Sequence, residues 1–406
     1  MTNQKWKSLA TLFLGGMVMV NGLILWYGRS FIAEGYGDFA AFYTAGKLLD
    51  RGQGPQLRDQ EAQWEVQQEF ASKVTIRQKP LPYVRPAFEA VIFAPFAALP
   101  YRSAYLIWTI VNVGLLVLFP FLVKPQGAAI PSQLLQGVLC FSYVPVAIDL
   151  LHGQDVIVVL MALTMGLSRL KKQAEFQAGL WFALALVKFH LMIPIMLILA
   201  LRRKAKVVVG FIFGALALLG ISIAIVGWRG VASYPAYLWH LNAAHNAGMA
   251  SPESMPNMRG MLTIVWGTNA FPAWANWMLV GLVLAGIVFV SYLWDSDSGD
   301  SHFWDIGFSI AIITTLITSY YAYSYDLTLL LLPIFLLGGS FKRMNELNGW
   351  PKAIFFLSAG LLCTPVLWLI FFGVGSFYLM VPVLLLLLIS AVRAMKVLPR
   401  DCPKSI

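Results

Sequence analysis

The sequence predicts an all-α bundle of helices that cross a membrane. Hydrophobic residues make up 59% of the 406 residues, and charged residues make up only 12%. Soluble domains carry about 25% charged residues, so this chain has roughly half the charge that a water-exposed surface needs. Its mean hydropathy is +0.72, and many apolar segments are too long for core helices of a soluble fold. We therefore expect an integral membrane protein.

The apolar segments predict about twelve crossings. Lys5 and Lys7 precede the first segment, residues 9–27, and no small-residue cleavage site follows it, so we interpret it as an uncleaved anchor. Residues 86–99 are apolar but number only fourteen, which favours an interfacial or re-entrant segment. The other predicted spans are residues 103–123, 133–151, 156–170, 176–187, 191–201, 207–227, 271–294, 303–319, 327–339, 353–372 and 377–394.

The distribution of lysine and arginine predicts which side of the membrane each loop faces. Seventeen of the 29 fall in segments on the side of the N-terminus, three in short segments on the other side, and nine in residues 28–102. Cationic loops favour the cytoplasm. We expect a single membrane domain, residues 1–406, in the plasma (inner) membrane, with both termini cytoplasmic. A long outer loop, residues 28–102, would hold amphipathic or re-entrant helices, and a second would cover 228–270. These loops explain the net charge of +10 without nucleic-acid binding.

Five polar motifs fall at predicted span ends on the outer face. Ionisable groups at membrane depth are costly, and they tend to mark functional sites. The motifs are Asp38, the hinge His152-Gly153-Gln154-Asp155, Lys188 with His190, residues 257–260, and residues 320–326. Their shared side predicts one site on the outer, periplasmic face.

Asp38 is the candidate general base of that site. It follows the first span at the head of the long loop, where an enzyme acting on membrane-bound substrates would place a carboxylate. The alternative is a helix cap, because residues 39–50 read as a helix and carboxylates favour helix N-termini. Taken alone, Asp38 fits the capping interpretation better, and only the neighbouring motifs favour catalysis.

Three cations are candidate ligands of a substrate phosphate. Lys188 and His190 separate two short apolar arms, and Arg259 lies in a stretch rich in proline, asparagine and glycine. Lysine offers a point charge, histidine a donor, and arginine a bidentate fork to phosphate. The alternatives are a snorkelling lysine, an ordinary polar histidine and a surface arginine.

Five other polar residues are candidate substrate ligands: Asn257, Gln154, His152, Tyr325 and Asp326. Turn chemistry is the alternative for the hinge, and a helix cap is the favoured alternative for Asp326. His240 and His245 have no carboxylate at helical spacing, so we predict no metal site, and the need for a divalent cation stays open. Phosphate-loop and serine-hydrolase motifs are absent from the sequence.

Six short motifs occur in a recognisable order along the chain. They are Gly37-Asp38-Phe39 with Tyr43, Arg85-Pro86-Ala87-Phe88, Gly153-Gln154, Ala178-Gly179 with Lys188, Asn257 to Gly260, and Tyr325-Asp326 before a leucine run. Taken in order, these motifs resemble glycosyltransferase family 87, a group of membrane transferases of the C-type superfamily that use polyprenyl-phosphate sugars. The family often has Tyr-Pro-Pro where this chain has Val84-Arg85-Pro86, and Lys-Pro where it has Lys188-Phe189.

The resemblance implies a polytopic C-type bundle that transfers a hexose with inversion. The donor would be a polyprenyl-phosphate sugar, with mannose favoured, and the acceptor a lipid or glycan of the cell envelope. Asp38 would be the general base, and Arg259, Lys188 and His190 would face the leaving phosphate. A transporter or flippase of a lipid-linked sugar is the alternative, because interrupted helices often line transport sites, and a non-catalytic scaffold is a third.

Overall fold

The structure is a computed structural model that describes residues 3–74, 79–123, 133–243, 252–267, 272–294, 301–343, 349–375 and 377–397. His245 and both chain ends lie outside these residues. Every regular element described is helical, so the predicted all-α bundle is confirmed. The α-helices are α1 (Asn3–Ala33), α2 (Phe39–Asp50), α3 (Gln60–Ala71), α4 (Ala90–Phe93), α5 (Tyr101–Val123), α6 (Gln133–Ser142), α7 (Val144–His152), α8 (Val156–Lys171), α9 (Glu175–Leu184), α10 (Phe189–Leu201), α11 (Ala205–Ala232), α12 (Tyr234–Ala243), α13 (Met258–Trp266), α14 (Ala273–Leu293), α15 (Ser301–Thr318), α16 (Leu331–Arg343), α17 (Trp350–Leu362), α18 (Pro365–Val374) and α19 (Met380–Val397).

Short 3-10 helices extend or connect several of these elements. They cover Gly54–Gln56, Ala87–Glu89, Ala94–Ala98, Ala185–Lys188, Pro252–Ser254, Ser324–Leu330 and Phe377–Leu379.

Seven helical stretches of the described residues are long and apolar enough to cross a membrane, and α6 with α7, bent by 63°, would make an eighth. Large apolar side chains such as Leu12, Phe213 and Trp277 are exposed on these stretches, as lipid contact requires. The predicted number of twelve crossings is not confirmed. The seven are Thr11–Ala33, Tyr101–Val123, Glu175–Leu201, Ala205–Ala232, Trp274–Leu293, Ser324–Lys342 and Phe377–Val397.

One of these stretches, Glu175–Leu201, folds back on itself. A straight helix of this length would separate its ends by about 40 Å. Instead, Glu175 Oε1 lies 3.8 Å from Nζ of Lys204, three residues beyond the other end. The reversal falls at Lys188, whose φ of −114° and ψ of 60° are not helical. Two short arms, α9 and α10, therefore meet at Lys188.

The packing of α9 against α11 supports the same reversal. A Cβ on Gly179 would lie 2.1 Å from the carbonyl oxygen of Val207, and a Cβ on Gly214 would lie 2.6 Å from Cβ of Ala183. The contacts advance along both helices in the same direction, so α9 and α11 are parallel. Two parallel helices need a return segment between them, and α10 is that segment.

The loop after the first span is itself a packed helical assembly. The first helix continues to Ala33, six residues past the predicted end of the span. The elements α2, α3 and α4 then pack on the start of α5 around an aromatic cluster that includes Phe39, Phe93 and Trp108. The apolar residues 86–99 form α4 and two flanking 3-10 helices, and they pack against α2.

The bundle has two chemically different ends. The basic end contains the turns at residues 172–174 and 202–204, where Lys171 pairs with Asp305 and Lys204 with Glu175. The polar end contains the start of α2, the hinge between α7 and α8, Lys188, and residues 319–326. Since α8 and α10 run between the two ends, the polar motifs lie together, away from the turns of the basic end.

Candidate active site

Asp38 occupies the N-cap position of α2 without capping the helix. A turn with Gly35 at φ 89° leads into it, and its own φ of −64° and ψ of −20° are helical. Its side chain makes no cap hydrogen bond, so the capping alternative for Asp38 is wrong. The carboxylate lies instead against the hinge that follows α7.

The hinge reaches Asp38 because of the left-handed residue Gly153. This glycine ends α7 with φ 63°, and a Cβ there would lie 2.7 Å from Cβ of Phe39. The close approach brings Nε2 of Gln154 to 2.5 Å from Oδ2 of Asp38. Nδ1 of His152 lies 3.5 Å from the same oxygen. Both hinge residues predicted to share a site with Asp38 contact it directly.

These neighbours favour the ionised form of Asp38. Burial raises the pKa of Asp38, but the imidazole of His152, the amide of Gln154 and the charge of Arg85 outweigh burial and hold that pKa below its ordinary value. The side chain of Asp38 is 29% exposed. A carboxylate that is both ionised and accessible can accept a proton from a bound hydroxyl.

A row of buried charges lies beneath Asp38. Nη2 of Arg85 donates to Oε1 of Gln154 at 2.9 Å and to Oδ1 of Asp155 at 3.1 Å. Nζ of Lys188 lies 3.5 Å from the same Asp155 oxygen and 2.6 Å from Oδ1 of Asp326. The side chains of Lys188 and Asp326 are 1% and 2% exposed. Lys188, predicted to face a phosphate, is thus engaged with two carboxylates.

Asp326 has a second, structural contact. Its Oδ2 accepts the backbone N–H of Tyr323 at 2.7 Å, at the start of the 3-10 helix Ser324–Leu330. Asp326 is therefore not the N-cap predicted as its alternative role: Tyr323 holds that position, and Asp326, three residues later, completes a capping box by accepting the N-cap N–H. Its other oxygen, Oδ1, holds Lys188.

Two carboxyl groups near Arg85 differ in their ionisation. Burial raises the pKa of Asp155, but Arg85 and Lys188 outweigh burial and hold that pKa at about 2. Glu89 is fully buried and accepts the Tyr83 hydroxyl at 3.3 Å. Burial, followed by the charge of Asp155, raises the pKa of Glu89 well above its ordinary value. Asp155 is the charged partner of Arg85, and Glu89 keeps its proton to higher pH than an exposed glutamate does.

Arg259 lies on α13 among the tyrosines of the polar end. Its guanidinium stacks 3.9 Å from the ring centroid of Tyr320 and 4.8 Å from that of Tyr321. The ring of His190 contacts Tyr321 at a centroid distance of 6.4 Å, and Nε2 of His190 is buried without a hydrogen-bond partner in the described part of the chain. Arg259 and His190 thus contact the same tyrosine.

Two more tyrosines connect this group to Asp38. The ring of Tyr325 lies 5.9 Å from His152 and 5.6 Å from Tyr323. Tyr323 is within electrostatic reach of both Asp38 and Arg259. A strip of tyrosine rings therefore separates the carboxylate from the arginine.

Asn257 holds α13 in place. Its Oδ1 accepts the backbone N–H of Gly260 at 3.0 Å, which caps α13, and its Nδ2 donates to the carbonyl of Ser319 at 2.9 Å. The residue is fully buried. The substrate-binding role predicted for Asn257 has no support in these contacts, which join α13 to the end of α15.

The sequence interpretation missed Arg85, Asp155 and Glu89. Arg85 reads as one of nine basic residues of a long loop, and Asp155 is part of the hinge motif but resembles a helix cap. The cost of burying a charge could have pointed to these residues. Asp155 stands at the start of an apolar helix, so it needs a cationic partner. Among the described residues, no three His, Cys, Asp or Glu side chains are arranged to hold a metal ion.

Comparison with known proteins places the chain in a family. The profile of glycosyltransferase family 87 matches residues 83–319, more than half of the chain. Searches of curated proteins and of solved structures returned no match. The matched range includes Arg85, the hinge, Lys188 and Arg259, whereas Asp38 precedes it. The chain belongs to glycosyltransferase family 87 and is a membrane glycosyltransferase.

Proposed function

We propose that this glycosyltransferase moves a hexose from a polyprenyl-phosphate donor to a hydroxyl group of a lipid or glycan acceptor, with Asp38 as general base. The observation that carries the proposal is the environment of Asp38. Its carboxylate does not cap α2 and is held by Gln154 and His152 while staying 29% exposed. Its lowered pKa keeps the carboxylate ionised at neutral pH, which is the form that can take a proton from a hydroxyl.

The reaction is one displacement with inversion at the anomeric carbon. Asp38 removes the proton of the acceptor hydroxyl as that oxygen forms a bond to the anomeric carbon. The bond between this carbon and the phosphate oxygen breaks, and its electron pair leaves with the polyprenyl phosphate. Negative charge grows on the phosphate in the transition state, so cations placed nearby lower the barrier.

Arg259 and His190 are the proposed contacts of the leaving phosphate. Lys188 is a weaker candidate, because Asp155 and Asp326 already neutralise it. Arg259 can present a guanidinium fork, and the Nε2 of His190 is buried without a partner in the described residues. The sugar would then lie over Tyr323 and Tyr325, between the base and the phosphate.

The donor class follows from the proposed sidedness. The polar end is opposite the turns that carry Lys171, Lys172 and Arg202 to Lys204, and cationic loops favour the cytoplasm. The site would therefore open on the outer face of the plasma membrane, with the termini inside. Nucleotide sugars are made in the cytoplasm, so a sugar carried on a lipid phosphate suits an outer site. Mannose is the sugar proposed from the resemblance to the family.

The test replaces Asp38 with Asn in the full chain, purified in lipid nanodiscs. The probes are polyprenyl-phosphate mannose and polyprenyl-phosphate glucose, labelled in the sugar, with total membrane lipids as acceptors. Loss of the base should reduce transfer about 100- to 10,000-fold. Asp50→Asn, at the exposed end of the same helix, should transfer normally. Undiminished transfer by Asp38→Asn would show that Asp38 is not the general base.

A further inference from the structure

The two oxygens of the Asp38 carboxylate have different surroundings. Oδ2 lies 2.5 Å from Nε2 of Gln154 and 3.5 Å from Nδ1 of His152. Oδ1 has no hydrogen bond to any of the described residues, and the side chain is 29% exposed. Only Oδ1 is available to a substrate hydroxyl, so its direction depends on what fixes Oδ2.

The amide of Gln154 is fixed in one orientation by Arg85. A guanidinium has only donors, so the atom that accepts from Nη2 of Arg85 at 2.9 Å must be the amide oxygen of Gln154, Oε1. The amide NH2 group then necessarily faces Asp38. Gln154 is only 3% exposed, which leaves it little room to turn.

Arg85 is itself held from two sides. Its Nη2 donates to Oδ1 of Asp155 at 3.1 Å, and its Nη1 lies 3.5 Å from the carbonyl oxygen of Val187. Lys188 reaches the same Asp155 oxygen. The position of Gln154 is thereby determined by the hinge, by the loop before Pro86 and by the reversal between α9 and α10.

We infer that Gln154 and Arg85 are positioning residues of this enzyme: they anchor Oδ2 of Asp38 so that Oδ1 points at the acceptor hydroxyl. The inference depends on the proposed role of Asp38 as base. It gives Gln154 a task different from substrate binding, and it gives a task to Arg85, which the sequence analysis placed in a family motif but not in the site. Arg85 affects Asp38 only through its hydrogen bond to Gln154 and through its own positive charge.

A positioning role has a signature in the pH profile. The groups that face Asp38 are His152 from α7, Gln154 from the hinge, Arg85 from the loop before Pro86, and Tyr323 and Tyr325 from the segment before α16. The Gln154 hydrogen bond favours the ionised carboxylate. Its removal raises the pKa of Asp38, so the acid limb of kcat/KM moves to higher pH.

The experiment measures kcat/KM against pH with the labelled polyprenyl-phosphate donors. Gln154→Met keeps the side-chain length without the donor, and should move the acid limb up by about one pH unit and lower kcat about 10- to 100-fold. Arg85→Lys keeps the charge but loses the fork that sets the amide, so kcat should fall while the limb moves less. Arg51→Gln, from an exposed pair with Glu69, should leave both unchanged.

Combining the changes tests whether the two residues act in series. Arg85→Lys with Gln154→Met should match Gln154→Met alone, because Arg85 orients a side chain that is no longer an amide. Additive losses would contradict the inference. So would an acid limb in Gln154→Met that superimposes on that of the unchanged protein. If Gln154→Met fails to fold, Gln154→Glu, which sets a carboxylate beside Asp38, should shift the limb upward even further.

The failure of this inference differs from the failure of the proposed function. If Asp38→Asn is inactive while the limb of Gln154→Met stays in place, Asp38 is the base but Gln154 does not tune it. If Asp38→Asn transfers sugar normally, the base assignment itself is wrong.

Discussion

Both ends of the bundle contain a lysine paired with a carboxylate, yet the two pairs differ in every physical respect. At the polar end, Lys188 lies 2.6 Å from Asp326, and the side chains are 1% and 2% exposed. At the basic end, Lys204 lies 3.8 Å from Glu175, and the side chains are 19% and 20% exposed. The first pair is fully removed from solvent, and the second is partly screened by it.

The difference shows what each end requires. Burying an ion pair costs desolvation energy that the attraction between the charges often fails to recover. A chain keeps such a pair where a fixed arrangement of charge is needed, and the row from Asp326 to Gln154 ends on Asp38. The basic end needs only to close turns, and a loose pair is enough for that.

The turns differ in the same way. At the polar end, the left-handed residue is Gly153, packed against Phe39. At the basic end, the left-handed residues are Gln173 and Arg203, with φ of 60° and 56°. A side chain is tolerated in the basic turns because both residues are exposed, whereas the hinge has no space for a Cβ.

The largest expected difference between the two ends is in the stability lost when the lysine of each pair is replaced. Lys188→Met leaves Asp326 buried without a cation and leaves Asp155 with Arg85 alone, which should lower the free energy of unfolding by about 3–5 kcal/mol. Lys204→Met should cost about 0–1 kcal/mol. SDS titration of both proteins measures this. Equal losses would show that burial does not distinguish the two pairs.

The next effect concerns arginine. Arg259→Gln removes the proposed phosphate cation at the polar end and should lower kcat/KM for the polyprenyl-phosphate donor about 100-fold. Arg203→Gln removes a cation from the basic end and should leave transfer unchanged. The assay is donor saturation at fixed acceptor. Normal donor kinetics in Arg259→Gln would show that Arg259 does not bind the donor phosphate.

The smallest effect comes from the left-handed turns. Gly153→Ala should destabilise the protein by about 1–2 kcal/mol and slow transfer, because the new Cβ strains the backbone and meets Phe39. Arg203→Gly relieves strain at the basic end and should change stability by less than about 1 kcal/mol, in the stabilising direction. Thermal unfolding in detergent compares them. A harmless Gly153→Ala would mean that the hinge is not tightly packed.

Sequence patterns predicted the class of fold and the grouping of Asp38 with the hinge residues. Apolar length and low charge were sufficient for the helical membrane bundle, and the costly polar motifs at span ends do gather at one end. The reversal at Lys188 was predicted from the two short apolar arms on either side of it, and Lys188 is indeed non-helical. The number of crossings could not be predicted, because apolar length does not reveal that α6 and α7 are bent. A bend depends on what the two helices pack against.

The partners of the charged residues were not predictable either. Lys188 and Asp326 are 138 positions apart in the sequence, and Arg85 looks like any basic residue of a long loop. Local rules favoured a cap at both Asp38 and Asp326. Asp326 does bond to the start of its helix, but from the third helical position, because Tyr323 is the N-cap. At Asp38 the carboxylate contacts Gln154 and His152, which come from another part of the chain.

The sequence by itself determined that this chain is helical, lies in a membrane and concentrates costly polar residues at span ends, because these properties depend on composition and local spacing. Only the tertiary structure decided which charge meets which, and hence that Lys188 is neutralised while Asp38 stays ionised and accessible. The reason is that the strength of a charge interaction depends on distance and burial, and both are set by residues far away in the chain.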